Sequence, residues 1–167
     1  MGTGGVFLRK LRARMSDQPT GFLWLEKGKL AASGLPASRA QLEWVNRQGI
    51  ETVLTLTEDP LPASWTQGLP MSFEHVPMGD HRAPSLESLE EAASMVQREV
   101  RDGRKVLVHC LAGQGRTMCV LAAYLIKDRG VGARSAITTL RGLRPGAVES
   151  GQEKAVFDYA DSLHLGN

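Results

Sequence analysis

His109-Cys110-Leu111-Ala112-Gly113-Gln114-Gly115-Arg116-Thr117 is the stretch that decides how the rest of the chain is read. Lys105 to His109 before it is a short apolar run of strand character, and Thr117 to Lys127 after it is an apolar helix that Gly130 and Gly132 end. A strand running into a helix makes a natural anion site. The first N–H groups of a helix have no partner inside it, and the helix dipole adds partial positive charge. Gly113 and Gly115 let the backbone curl, so Leu111, Ala112, Gly113, Gln114, Gly115 and Arg116 are the expected phosphate cradle. Arg116 supplies a planar fork of donors for two phosphoryl oxygens. Cys110 lies at the floor of the cradle, where loop dipoles and a guanidinium favour a thiolate nucleophile. His109 is expected to fix the loop through a backbone carbonyl, and the Thr117 hydroxyl to donate to the sulfur as it leaves. A lone cysteine at the end of an apolar strand is more often core packing. Two glycines and an arginine at these spacings would be a poor way to fill a core, so the catalytic reading is preferred.

Working outward, Phe22 to Leu25 and Lys29 to Ala32 flank Lys27-Gly28 as a short hairpin. Pro36-Ala37-Ser38 followed by Gln41 has the form of a capping box, with Leu42 and Val45 on the apolar face and Gly49 at the end. Glu51 to Thr57 and Met71 to Val76 read as strands, joined by a loop with Pro60, Pro62, Gly68 and Pro70. Leu86, Leu89, Ala93, Val96 and Val100 keep helical spacing from Ser85 to Arg101, before Asp102-Gly103. Two more helices are expected, Arg134 to Leu143 and Ser150 to Leu163, the second with Ser150 and Glu153 as its capping box. Strands alternating with helices predict an α/β fold: a central, mainly parallel but mixed sheet of four to five strands, flanked by helices.

The chain of 167 residues carries 20 basic and 18 acidic side chains and is 42% hydrophobic. That suits one domain over 16–167 and gives no field strong enough to imply nucleic acid. Two cysteines, Cys110 and Cys119, are too few for a disulfide framework and fit a reducing compartment. No apolar run is long enough for stable membrane insertion. Residues 1–15 form a basic extension with Arg9, Lys10, Arg12 and Arg14, read as flexible, though mitochondrial targeting also fits it. Val6 stands where a myristoylation motif wants Ser or Thr. His75, His81 and His164 have no metal-ligand spacing, so neither a metal nor a cofactor is expected. Cys119, in an apolar helix, is read as core. Trp24, Trp44 and Trp65 are read as core or loop anchors.

His-Cys-x-x-Gly-x-x-Arg-Thr resembles the signature of the protein tyrosine and dual-specificity phosphatases. Phe22 to Leu35, Val53 to Glu58, the Asp80 loop, and Arg144 to Glu149 through Gln152 to Phe157 are similar to the small atypical dual-specificity phosphatases, so nearly all of the chain after Met15 is covered. The resemblance implies that Asp80, in Val76 to Pro84, is the general acid that protonates the leaving group and then activates water. Asp59 is the rival. Gln152 matches a position where relatives carry a water-positioning Gln. Met118 departs from the glycine that relatives commonly place after Arg-Thr, which bears on helix packing and not on a catalytic group.

The resemblance implies a monomeric phosphatase of phosphotyrosine and aryl phosphates, extending to phosphoserine and phosphothreonine, in the cytoplasm or nucleus. Its partner is a phosphorylated protein or peptide. Phosphoinositide phosphatases are similar around Asp80-His81 and Pro84, but they place lysines in the signature loop where Leu111 and Gln114 stand here. An RNA 5′-phosphatase, a phosphate-binding module without turnover and a rhodanese-like sulfur transferase are the remaining alternatives.

Overall fold

The computed structural model describes residues 17–165. The basic extension 1–15 lies outside them. Five strands, β1 (Leu23–Glu26), β2 (Leu30–Ser33), β3 (Thr52–Thr55), β4 (Ser72–His75) and β5 (Val106–His109), form one sheet in the order β1-β2-β5-β3-β4. Only β1 runs antiparallel, against β2; the pairs β2–β5, β5–β3 and β3–β4 are parallel. The sheet is therefore mixed and mainly parallel, as expected, and β5 is its centre. Ser33 and Thr55 both stand in register with His109, so the chain leaves three neighbouring strands at one edge. In open α/β sheets that edge is where ligands bind.

Period-two alternation divides the sheet between two cores. Leu30, Ala32, Leu54, Val106 and Val108 face one core, whereas Ala31, Val53 and Leu107 face the other. The larger core is covered by α3 (Leu86–Arg101), α4 (Arg116–Arg129), α5 (Ala133–Leu143) and α6 (Glu153–Leu165). Every residue of α4 from Arg116 to Ile126 is buried, because that helix packs against α3, α5 and α6 at once. This is why its sequence shows no polar stripe. Met118, where relatives commonly place glycine, is among those buried residues and packs in the core behind the signature loop.

The opposite face carries α1 (Arg39–Arg47), capped by the Ser38 hydroxyl, which accepts from Gln41 N at 3.2 Å. Gln41 Oε1 returns to Ala37 N at 2.7 Å, one residue earlier than the reciprocal bond of an ideal capping box. The expected loop between β3 and β4 contains a short helix, α2 (Ala63–Thr66), and Arg39 holds the carbonyls of Trp65 and Gln67. Four residues with one tertiary anchor leave too little periodicity to be read from sequence. A second correction concerns 150–163. A 3-10 turn, Ser150–Gln152, precedes α6, and its reciprocal cap is formed by Glu149 and Gln152, not by Ser150 and Glu153.

Candidate active site

Strand β5 delivers a fully buried His109. Its Nδ1 lies 3.2 Å from the Cys110 carbonyl, which can only accept, so Nδ1 carries the proton. Nε2, 2.8 Å from Thr55 Oγ1, then accepts from that hydroxyl. Burial pushes the imidazole pKa down to about 4, helped by the nearby Arg116 and His75 charges and opposed by the bond to the Cys110 carbonyl. The expected fixing of the loop through a backbone carbonyl is thus present.

The loop carbonyls turn away from the cradle. Leu111 O accepts from Leu35 N at 3.0 Å, Gln114 O from Val148 N at 3.1 Å, and Gly113 O from Arg144 Nη1 at 2.5 Å. Arg144 Nη2 donates to the carbonyl of Gly21, so one guanidinium clips the loop to the segment before β1. With its carbonyl turned out, Gly113 presents its N–H to Cys110 Sγ at 3.2 Å. Cys110 itself is only 2% exposed. Gly113 has a φ of +71°, and a Cβ there would lie 2.6 Å from Ser33 O. A Cβ at Gly115 would lie 2.7 Å from Gln152 Oε1.

Arg116 opens α4 with a side chain 4% exposed. Nη1 donates to Met78 O at 3.0 Å, and Nη2 pairs with Asp80 Oδ1 at 2.9 Å. The structure therefore brings Cys110, Arg116 and the Asp80 loop together. Asp80 N donates to Glu58 Oε1 at 3.1 Å, and Asp80 Oδ1 also accepts from His81 N at 3.0 Å. Asp59 is exposed, and its carbonyl accepts from Thr57 Oγ1 at 2.7 Å. Thr117 Oγ1 is buried without a hydrogen-bond partner among the described residues, so the bond expected from it to the sulfur is not formed in this geometry. An orphan hydroxyl of this kind is costly to stability, and a role in the chemistry is one reason for a site to keep it.

Gln152 is buried beside the loop. Its Nε2 donates to Arg82 O at 3.1 Å, and its Oε1 accepts from Glu149 N at 3.3 Å and from the Cys119 thiol at 3.8 Å. Burial pushes Cys119 up to about 12, with the Cys110 and Glu149 charges adding to it, which keeps it a thiol.

Sequence reasoning passed over four contributors: Glu58, Met78, Arg144 and Glu149. Glu58 carries a topological signal, since a segment following β3 must run beside the loop that follows the parallel β5, whereas Met78 follows β4, one strand further out. Arg144 and Glu149 lie in the Arg144 to Glu149 stretch that resembles the family, where a basic and an acidic residue flank Pro145-Gly146-Ala147-Val148. His81 is exposed, as expected of a loop histidine, yet Nδ1 stands 3.1 Å from Glu149 Oε2 and Nε2 3.6 Å from Asp80 Oδ2. Among the described residues no group of His, Cys, Asp and Glu gathers to hold a metal.

A family model described as "PTP-SAK: Swiss Army Knife protein, DSP-PTPase phosphatase domain" matches residues 19–157. The tyrosine-protein phosphatase CDC14 of Candida albicans is 33% identical over 94 residues, 55% of this chain and 17% of that protein. The phosphatidylglycerophosphate phosphatase PTPMT1 of Arabidopsis thaliana is 27% identical over 132 residues, 78% of this chain and 39% of that protein. The chain thus spans well under half the length of these curated relatives. Among solved structures, Tk-PTP in its active form superposes with a TM-score of 0.74 at 34% identity, over 84% of this chain and 99% of that one. Human DUSP28, at 23% identity and a TM-score of 0.73 over 88% of this chain and 99% of that one, shares the fold.

Proposed function

This chain belongs to the DSP-PTPase phosphatase domain family, and from that premise we propose that it hydrolyses phosphoric monoesters through a phosphocysteine. The observation that carries the reading is the convergence on one loop of Cys110 under the Gly113 N–H, at 3.2 Å, and Arg116 joined to Asp80, at 2.9 Å. The bound phosphate exchanges for the Asp80 carboxylate on Arg116 Nη2, while Nη1 stays on Met78 O. Cys110 Sγ attacks phosphorus, and the ester oxygen leaves with the proton of the Asp80 carboxyl. Water then loses a proton to Asp80 and attacks phosphorus, and the S–P bond breaks to return the thiolate. Arg116 and the loop N–H groups stay with the phosphoryl oxygens in both steps, where charge develops. Thr117 Oγ1, already buried, donates to the departing sulfur. Gln152 orients the water once it exchanges a present partner for it. General acid–base assistance of this kind contributes about 10²–10⁴ in rate.

The substrate in this reading is phosphotyrosine on a protein or peptide, with aryl phosphates and phosphoserine or phosphothreonine also accepted. The free thiols suit the cytoplasm or nucleus, and a single domain over 16–167, acting as a monomer, is sufficient for this chemistry. Among the described residues no helix is long and apolar enough to cross a membrane. A lipid phosphate monoester is the second reading, favoured by the relative named phosphatidylglycerophosphate phosphatase, which matches 78% of this chain. Against it, Leu111 and Gln114 put no cation in the loop for additional phosphates.

Hydrolysis of p-nitrophenyl phosphate in EDTA tests the reaction. Wild type is expected to turn over and Cys110→Ser to lose essentially all activity, whereas turnover indifferent to that substitution overturns the mechanism. Comparing a phosphotyrosine peptide with phosphatidylglycerophosphate vesicles separates the two substrates.

A further inference from the structure

The Asp80 loop is held on two sides. Toward the sheet, Met78 N donates to Leu56 O at 3.0 Å and Asp80 N to Glu58 Oε1 at 3.1 Å. Toward α6 it is tied to the turn at 148–152 twice, by His81 Nδ1 to Glu149 Oε2 at 3.1 Å and by Gln152 Nε2 to Arg82 O at 3.1 Å. The only non-glycine residues with positive φ among the described residues flank this bridge: His81 at +53° and Val148 at +59°. Left-handed backbone is costly for both, most of all for a β-branched valine, and it persists where the surroundings over-determine it. Val148 is also the residue whose N–H meets Gln114 O of the signature loop, at 3.1 Å. Strain, acid loop and signature loop therefore meet at one bridge.

We infer that His81 and Glu149 are positioning residues for the Asp80 carboxyl, latching the acid loop to the turn before α6. The inference rests on the reading of Asp80 as the acid. When a phosphate takes Arg116 Nη2, Asp80 loses the partner that now orients it at 2.9 Å. The remaining groups near its oxygens are the His81 N–H, at 3.0 Å, and His81 Nε2, at 3.6 Å. The ring is in turn set by Glu149. The charged groups facing it are Asp80 from its own loop, Glu149 from the turn and Arg116 from α4. The hydrogen bond to Glu149 raises its pKa first, then the Asp80 and Glu149 charges, against burial and Arg116. A raised value keeps the ring charged to higher pH, so the latch is tight below that pKa and loosens as pH rises through it.

His81→Asn removes the charge while tolerating the left-handed backbone, and Glu149→Gln removes the charge while keeping the acceptor used in the cap. The bridge is exposed to water, so each variant is expected to lower kcat on phenyl phosphate, a poor leaving group, by about two- to fivefold. The loss on a fluorinated aryl phosphate with a good leaving group should be smaller, and the double variant no worse than either single one. The extra alkaline fall of the wild-type phenyl phosphate rate should be missing from both. Thermal unfolding should match wild type, which separates the effect from misfolding. Equal losses on both substrates, additive losses, or no loss while Asp80→Asn still discriminates by leaving group would overturn the latch alone. If Asp80→Asn shows no leaving-group dependence, the acid assignment itself fails, and the latch with it.

Discussion

At the scale of single residues, two glycines separate backbone strain from a crowded site. Gly28, in the turn between β1 and β2, has a φ of +72° and open space where a Cβ would sit. Gly113 has nearly the same φ, +71°, but a Cβ there would press on Ser33 O at 2.6 Å and Arg144 Nη1 at 2.7 Å. Gly28→Ala is therefore expected to cost about 1–2 kcal/mol of stability, from the left-handed conformation alone, with activity unchanged. Gly113→Ala carries the same strain and must also move the loop beneath Cys110. A shift of the order of an ångström in reacting groups costs about a hundredfold in rate. Chemical denaturation beside p-nitrophenyl phosphate kinetics checks both. Equal kinetic effects at the two positions would mean that the cradle is not held by the close approach of Ser33.

At the scale of elements, the turn at 149–152 is where sequence and structure part. Ser150 with Glu153 fits a capping box by spacing, but the structure caps with Glu149 and Gln152, and Gln152 is buried against Arg82 O. Ser150→Ala should leave stability within about 0.5 kcal/mol of wild type, as at an ordinary surface site. Gln152→Ala should cost about 1–3 kcal/mol by leaving buried partners unsatisfied, and it should slow dephosphorylation of the intermediate, readable as a larger burst in stopped-flow kinetics. Comparable stability losses from the two variants would favour the spacing-based cap. The same contrast explains what was legible. Ser38 and its helix, β5, and Cys110 through Thr117 were readable because their determinants are neighbours in the chain: a cap three residues from its partner, an apolar run, a loop between strand and helix. Asp80 was reachable through family resemblance to its loop. Glu58, Met78, Arg144 and the bridge from His81 to Glu149 were not, because each depends on which strand lies beside which. His81 and Glu149 are 68 positions apart and meet only once β4, the Asp80 loop and the turn before α6 are packed.

At the scale of the whole molecule, buried titratable groups set a pH window that any rate measurement must respect. His109 is buried neutral with its pKa pushed down to about 4 from 6.5, so the folded state binds fewer protons than the unfolded chain between those values. Its stabilisation is complete above pH 6.5 and is lost as pH falls toward 4, by about 3 kcal/mol in all. Glu99 adds a second acid step. The Arg104 fork holds it below the usual carboxylate range despite burial, with Thr52 also donating, so its contribution is present above about pH 4.5 and lost below that. Cys119 acts in the opposite direction. Its thiol is pushed up to about 12, so the unfolded chain ionises first, and stability is lost as pH rises above 9. The melting temperature should therefore fall below about pH 6.5 and again above about pH 9, with the water-exposed His81 latch loosening as pH rises from 6.5 between them. His109→Gln can keep one bond to Cys110 O and one to Thr55 without titrating. It should be less stable than wild type at pH 7 but flatter between pH 6.5 and 4, with the step below pH 4.5 retained. An unchanged slope in that variant would move the acid sensitivity away from His109. Because this loss of stability overlaps the acid limb of any rate profile, an apparent acid pKa in that profile belongs to catalysis only if it survives in His109→Gln.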